Sequence, residues 1–356
     1  MANILRVKEA AAERGLDGLL LMDDRDIYYA TGFLPTDSAA LVTGDAAYLV
    51  TDSRYIEAAQ RQAAEGVEVV LTTRERPLMR VLAELVEKHG VEKLGAEEEK
   101  LSYAQYLRLE KALGLGLIPA QELIVALRSS KTREELDSLI RAQRIAEKAL
   151  NEVLPLLKPG AVEREIAAEL TYRMRLYGAE ANSFDPIVVA GAKSSMPHGV
   201  PGDEKIKAGD FVTMDFGCVK DGYCSDMTRT VAVGGATDEM KNVYDTVLRA
   251  QKAGIAAAKP GVTGAEIHNT AAKVIADAGY GEYFGHGFGH GVGLDIHELP
   301  TAAPSNTKPM PEGAVISAEP GIYLPGRFGV RIEDVLFLTG DGCVDITKAP
   351  KELLIL

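Results

Sequence analysis

The chain is short of cysteine, has no long apolar run and carries no excess of positive charge. Its three cysteines, Cys218, Cys224 and Cys343, make no disulfide framework and no Cys-x-x-Cys zinc pattern. They read as small packed residues of a reduced, cytoplasmic protein. No apolar stretch approaches the roughly 18 residues needed to span a bilayer. The N-terminal MANILRVKEAAAERG reads as an amphipathic helix stopped at Gly15, not as a signal peptide. With 52 acidic against 39 basic residues, the net charge of −13 argues against nucleic acid and membranes as partners. Phosphate-binding loops are missing too. The glycines between 285 and 293 precede no Lys-Ser/Thr pair and open no helix. Asp215-Phe216-Gly217 spells a kinase triplet, but no matching catalytic loop or Gly-rich start accompanies it.

What is there is ordinary globular material. The 356 residues, 46% hydrophobic and 26% charged, suit about two domains with sizeable cores. Residues 1–123 alternate helices with short apolar strands, including the pair AALVTG and AAYLVT around Gly44-Asp45, and predict an α/β domain. Its one histidine, His89, stands before Gly90 at a helix end, where a cation suits the dipole. Ile124 to Ser130 reads as the connection to a second domain, 124–356. There Thr132-x-x-Glu135 is a capping box opening a long helix. KPGAVEREIAAEL at 158–170 recurs in outline as KPGVTGAEIHNTA at 259–271. Two helix pairs, each leading into strands, predict an internally duplicated ββ-plus-helices unit.

Two hairpins in that second domain carry acids. FVTMDFGCVKDGYCSDMTRT, residues 211–230, reads as strands meeting at a Lys-Asp-Gly turn. A Lys220-Asp221 loop sets Asp215 opposite Asp226; an Asp221-Gly222 loop makes them diagonal neighbours on the same face. Either way two carboxylates repel, and a cation between them removes the conflict. Taken alone, the stretch is also compatible with a solvated hairpin bearing two surface acids. In VISAEPGIYLPGRFGVRIEDVLFL, a Pro325-Gly326-Arg327 loop sets Glu319 opposite Glu333, with Pro320 weakening the strand after Glu319. Two such pairs are hard to explain as decoration. Four carboxylates balance two divalent ions, and with one histidine they are too few for two separate sites, so carboxylates must bridge. Ions bridged ~3.5–4 Å apart lower the pKa of a shared water and make a hydrolytic centre. Oxygen-rich ligation favours manganese or cobalt over structural zinc.

His286, His290 and His297 fall in GHGFGHGVGLDIHE, and His198 in SMPHG. In an extended chain His286 and His290 share a face, while His297 points to the other unless the chain bends. The intervening glycines permit such a bend, or the close approach of another backbone. His198 and His297 are the available acid/base candidates.

Asp215, Asp226, His290, Glu319 and Glu333, in this order, resemble the dinuclear metal site of the pita-bread metallopeptidases. That family includes methionine aminopeptidase, aminopeptidase P and prolidase. The resemblance covers nearly the whole chain, and the N-terminal module is similar to the creatinase-type domain that simple methionine aminopeptidases lack. It implies a creatinase-like α/β domain ahead of a pita-bread catalytic domain, α/β and α+β in class. It further implies that Asp215 binds one ion, that Asp226 and Glu333 bridge two, and that His290 and Glu319 complete the second. His198 and His297 match the family's substrate-side histidines, which steady the scissile carbonyl and the leaving nitrogen. Arg331 matches a position that supports the ligands or recognises a carboxylate, with an ion pair to Glu333 or Asp215 compatible with either. His286 is expected to be packed or hydrogen-bonded, and Asp295 to be a turn residue. The implied reaction is hydrolysis of the bond before proline in Xaa-Pro dipeptides by a hydroxide bridging two divalent metal ions, manganese or cobalt. The substrate is a peptide with proline at the second position, and the family pattern implies a homodimer. Aminopeptidase P action on longer peptides is the neighbouring alternative. A non-catalytic binding protein of the same fold is a remote one, against which the five intact ligands argue.

Overall fold

The computed structural model describes residues 3–356. They form two compact units, a first ending at Arg128 and a second, Ser129–Leu356.

In the first unit a six-stranded mixed sheet runs Glu68–Leu71, Ala47–Thr51, Ala39–Thr43, Gly18–Leu21, Leu94–Ala96, Leu117–Pro119. Its four inner strands are buried at every position, as continuous apolar runs covered on both faces must be. The edge strand Leu117–Pro119, parallel to Leu94–Ala96, is too short to have left a signal in the sequence. The stretch Ile124 to Ser130, expected as a connection, lies mostly within a helix, Gln121–Ser129. The Glu98 carboxylate accepts from the amides of Ala120 and Gln121 and so satisfies donors at that helix's start, while Leu123 and Ile124 bury its apolar side. The expected boundary at 123/124 falls inside this helix. His89 ends its helix with Nε2 2.8 Å from the Tyr48 hydroxyl.

Beneath the helix Asp24–Thr31, Asp26 and Glu97 are both fully buried. Arg128 donates to Asp26 at 2.7 Å, while Glu97 accepts from the amides of Met22 and Asp23. Burial and the adjacent Asp26 carboxylate push Glu97 up to about 9, so at neutral pH it holds the proton the two acids share. Glu97→Gln keeps both the acceptor and a donor. At pH 6 its unfolding free energy in urea is expected to stay within ~1 kcal/mol of wild type. A carboxyl whose folded pKa is raised loses stability as pH climbs toward that pKa. The variant is therefore expected to gain on wild type by pH 9, and a parallel decline in both proteins would count against the shared proton.

The second unit repeats itself. Helices Arg133–Val153 and Glu163–Leu176 lead into one set of strands, and Asp238–Ala257 and Gly264–Asp277 into another. Thr132 and Glu135 form the expected capping box. The duplication extends to single bridges: Val162 pairs with Lys205 just before one second helix, and Thr263 with Pro309 just before the other. Strand Phe211–Phe216 lies between Ile187–Ala190 and Met227–Ala232. A second three-stranded sheet of Ala181–Asn182, Cys218–Lys220 and Tyr223–Cys224, a five-stranded sheet and the hairpin Gly321–Leu324/Phe328–Arg331 complete the unit. Among the described residues no helix is long and apolar enough to cross a membrane. Cys218 and Cys224 are buried and Cys343 half-buried, as packed residues.

Candidate metal centre

The first hairpin turns at Asp221-Gly222, both with positive φ (50° and 76°), which suits the right-handed twist of the flanking strands. Asp215 therefore faces Thr228, and Asp226 is its diagonal neighbour; the directly opposed register does not occur. Asp226 sits in the gap between strands Tyr223–Cys224 and Met227–Ala232. In the second hairpin Leu324 faces Phe328 and Gly321 faces Arg331, and beyond a break the same register resumes with Ala318 facing Asp334. Glu319 and Glu333 stand at that break. Three of the four carboxylates thus leave the chain where a ladder is interrupted, and interruptions re-aim side chains.

His290 arrives on the strand Gly289–Gly291. At Gly289 an added Cβ would lie 1.9 Å from the Ser317 carbonyl oxygen, so the glycine permits a close backbone approach. The Ser317 hydroxyl accepts from the His290 amide and donates to Glu319, fixing these two residues to one another. His290 Nδ1 donates to its neighbour's carbonyl, Gly291 O, at 3.1 Å, which leaves Nε2 to face the acids. Nε2 lies 3.1 Å from Glu319 and 3.6 Å from Asp226.

The five residues line one cavity of about 760 Å³, together with His198, His286, His297, Tyr323, Arg331 and apolar walls from Phe184, Ile187 and Ile296. Ligand atoms of Asp226, His290 and Glu333 all lie within 4.8 Å of one another. Asp215 Oδ1 and Glu333 Oε1 are buried and find no hydrogen-bond partner among the described residues. Burial, and then repulsion from neighbouring carboxylates, pushes Asp226 and Glu333 well above the usual range. Burial raises Asp215 against the pull of Arg331. Glu319 is held down to about 2 despite burial, because His290 hydrogen-bonds to it, and His290 rises in turn to about 9. Orphaned buried acceptors, crowded acids and one aimed imidazole fit divalent cations.

Around this cluster the chain bends after Gly291, so His297 lines the same cavity as His290, their rings 4.2 Å apart and edge to face. Burial and the nearby His290 lower the His297 pKa. Arg331 pairs with Asp215 at 2.5 Å, not with Glu333. Its other donors reach Thr228 Oγ1, Tyr323 Oη and the Pro197 carbonyl, so its guanidinium holds Asp215 in place from within the cavity wall. His286 is hydrogen-bonded, as expected, through Nε2 to the Tyr323 hydroxyl at 2.9 Å. Asp295 accepts from the Gly293 amide in the bend. Sequence reasoning missed Thr228, whose hydroxyl donates to Glu333 at 2.7 Å, and Tyr323, which links Arg331 to His286. The signal for Thr228 was its place two residues after Asp226.

Residues 137–340 match the model of metallopeptidase family M24, and residues 4–130 the creatinase/prolidase N-terminal domain. The chain is 35% identical to a Xaa-Pro dipeptidase of Pyrococcus horikoshii, over 99% of this chain and 98% of that one. Among solved structures, a Xaa-Pro dipeptidase from Bacillus anthracis superposes with a TM-score of 0.94 at 42% identity, covering 99% of both chains. An X-Pro aminopeptidase from Thermotoga maritima does so with a TM-score of 0.92 at 35% identity, covering both chains fully. Fold, ligand cluster and likeness along the whole length agree, and the chain belongs to the pita-bread metallopeptidases of family M24, with a creatinase/prolidase N-terminal domain ahead of the catalytic one.

Proposed function

We propose that the protein is a Xaa-Pro dipeptidase, hydrolysing the bond before proline with two divalent metal ions. The observation that carries this is the convergence of Asp226, His290 and Glu333 within 4.8 Å, beside the orphaned oxygens of Asp215 and Glu333. In this reading Asp215, Asp226, His290, Glu319 and Glu333 would together hold the ions. Divalent ions held there would supply Lewis acidity toward the scissile carbonyl and toward water, whose pKa such ions bring toward ~7.

The chain's own residues do the rest. Arg331 and Thr228 keep Asp215 and Glu333 aimed inward by charge-assisted and hydroxyl bonds. His297, its pKa lowered by burial and the nearby His290, favours the neutral imidazole, which can take a proton from the attacking water and pass it to the leaving prolyl nitrogen, which has no hydrogen of its own. His198, which lines the same cavity, is assigned in this reading to steady the carbonyl. Phe184, Ile187 and Ile296 offer the apolar surface that a pyrrolidine ring buries against. Manganese or cobalt loading, a homodimer and a cytoplasmic location belong to the same reading, supported by the oxygen-rich donor set, the family resemblance and the cysteine composition respectively.

The test is a two-substrate assay on metal-analysed, Mn²⁺-loaded protein. Xaa-Pro dipeptides are expected to exceed Xaa-Pro-Yaa peptides in kcat/KM by at least roughly tenfold. The reverse order would make the protein an aminopeptidase, and cleavage of neither would remove the assignment.

A further inference from the structure

His198 is carried on an exposed loop between strand Ile187–Ala190 and the residues that pair back onto the helix Glu163–Leu176. That loop is tied at both ends to one side chain. Glu163, in the first turn of its helix, is fully buried. Its Oε1 accepts from the Ala190 amide at 2.8 Å, and its Oε2 from the Gly202 amide at 3.1 Å and from Lys193 Nζ at 2.7 Å. Backbone bonds from Glu163 to Glu204 and from Arg164 to Gly202 close the same junction. The middle of the loop is held from the other side. The Ser194 hydroxyl accepts from the Gly329 amide, and Arg331 donates to the Pro197 carbonyl. His198 therefore hangs between a carboxylate clamp and the hairpin that bears Arg331.

The duplication makes the clamp conspicuous. In the second repeat the position matching Glu163 is Gly264. There an added Cβ would lie 2.1 Å from the Thr301 carbonyl oxygen and 2.8 Å from Asn306 Nδ2, so the helix start packs directly on its neighbours with no room for a side chain. Only the repeat whose loop carries His198 has a buried acid at this point, reaching across to two loop amides and an ammonium. Burying a carboxylate is costly unless it is paired and hydrogen-bonded, and a glycine suffices for the helix pair itself.

We propose that Glu163 is a positioning residue for His198, setting the loop so that the imidazole meets substrate at the metal cavity. This rests on the dipeptidase reading, in which His198 acts on substrate. A positioned group moved by about 1 Å costs on the order of 100-fold in rate. Glu163→Ala is therefore expected to lower kcat on a Xaa-Pro dipeptide by roughly 10- to 100-fold with Mn²⁺ content unchanged. Glu163→Gln, which keeps one acceptor oxygen, should fall between Ala and wild type. The discriminating measurement is the double mutant: in a His198→Ala background the further loss from Glu163→Ala should shrink below about twofold. Hydrogen exchange at 191–202 should quicken in Glu163→Gln while strands Phe211–Phe216 and Met227–Ala232 stay protected, a readout that needs no substrate. An equal loss in both backgrounds, lost metal, or unchanged loop exchange overturns the role. Wild-type inactivity on every Xaa-Pro dipeptide instead removes the proposed function, and the clamp is then decided by the exchange alone.

Discussion

Asp226→Asn is expected to give a folded protein whose kcat/KM on Xaa-Pro dipeptides is lower by on the order of 10³ or more. A bound divalent ion contributes several kcal/mol of charge stabilisation, and each ~1.4 kcal/mol is tenfold in rate. The amide keeps the shape of the carboxylate and removes one charge from between Glu333, Asp215 and Glu319, whose repulsion adds to burial in raising Asp226. Without metal, then, the variant should melt no lower than wild type at pH 8, since the replaced group was already disfavoured as an anion. With metal the order reverses, because wild type gains from the ion and the variant gains little. Three measurements on the same samples decide it: kinetics, metal content, and melting with and without Mn²⁺. Retained hydrolysis would falsify the metal-centre reading. A variant that binds peptide as wild type does, where wild type itself never cleaves, would favour the binding-protein alternative.

The second hairpin was legible because Pro325-Gly326-Arg327 fixes its register, and that register holds on both sides of the break at Glu319 and Glu333. The first was legible only to within one position, since Lys220-Asp221-Gly222 offers two turns. Two adjacent positive-φ residues are easier for Asp-Gly than for Lys-Asp, and that preference could have chosen between them. Period two also reached Arg331 and the shared face of Asp215 and Asp226, and the same period counted on from Asp226 leads to Thr228, which was passed over. It did not reach Tyr323, because nothing local says that a tyrosine in a hairpin will meet an arginine and a histidine from distant segments. The helix Gln121–Ser129 was missed for a similar reason. Its start is completed by Glu98, a tertiary cap with no signature in the helix's own sequence. The bend that returns His297 to His290 was readable as permitted by glycine, but its direction was not.

Metal and pH should be coupled through the same acids. In the metal-free chain Asp226 and Glu333 hold protons well above the range of free carboxylates, and His290 holds one up to about 9. Unfolded, the acids would titrate near 4 and the histidine near 6.5. Between pH 6.5 and 9 the folded metal-free chain therefore binds more protons than the unfolded one, and its stability falls as pH rises. Glu319 has the opposite sign, its pKa held at about 2, but its contribution is lost only as pH falls from the ordinary carboxylate range toward 2. A cation takes the place of those protons, so binding should release protons and tighten with pH. Mn²⁺ at about a hundred times its Kd is worth ~2.7 kcal/mol, or roughly 5–10 °C for a unit of this size. At pH 8 a Tm gain of that order is expected over the chelator-treated protein, and at pH 6, with the same total metal, a smaller one. Calorimetric titrations in two buffers of different ionisation heat should give unequal apparent enthalpies at pH 7.5, the difference reporting the protons released. Equal enthalpies, or a Tm gain larger at pH 6 than at pH 8, would mean that the ligands are already ionised in the empty site. The crowding of Asp226 against Glu333 would then not be what metal relieves.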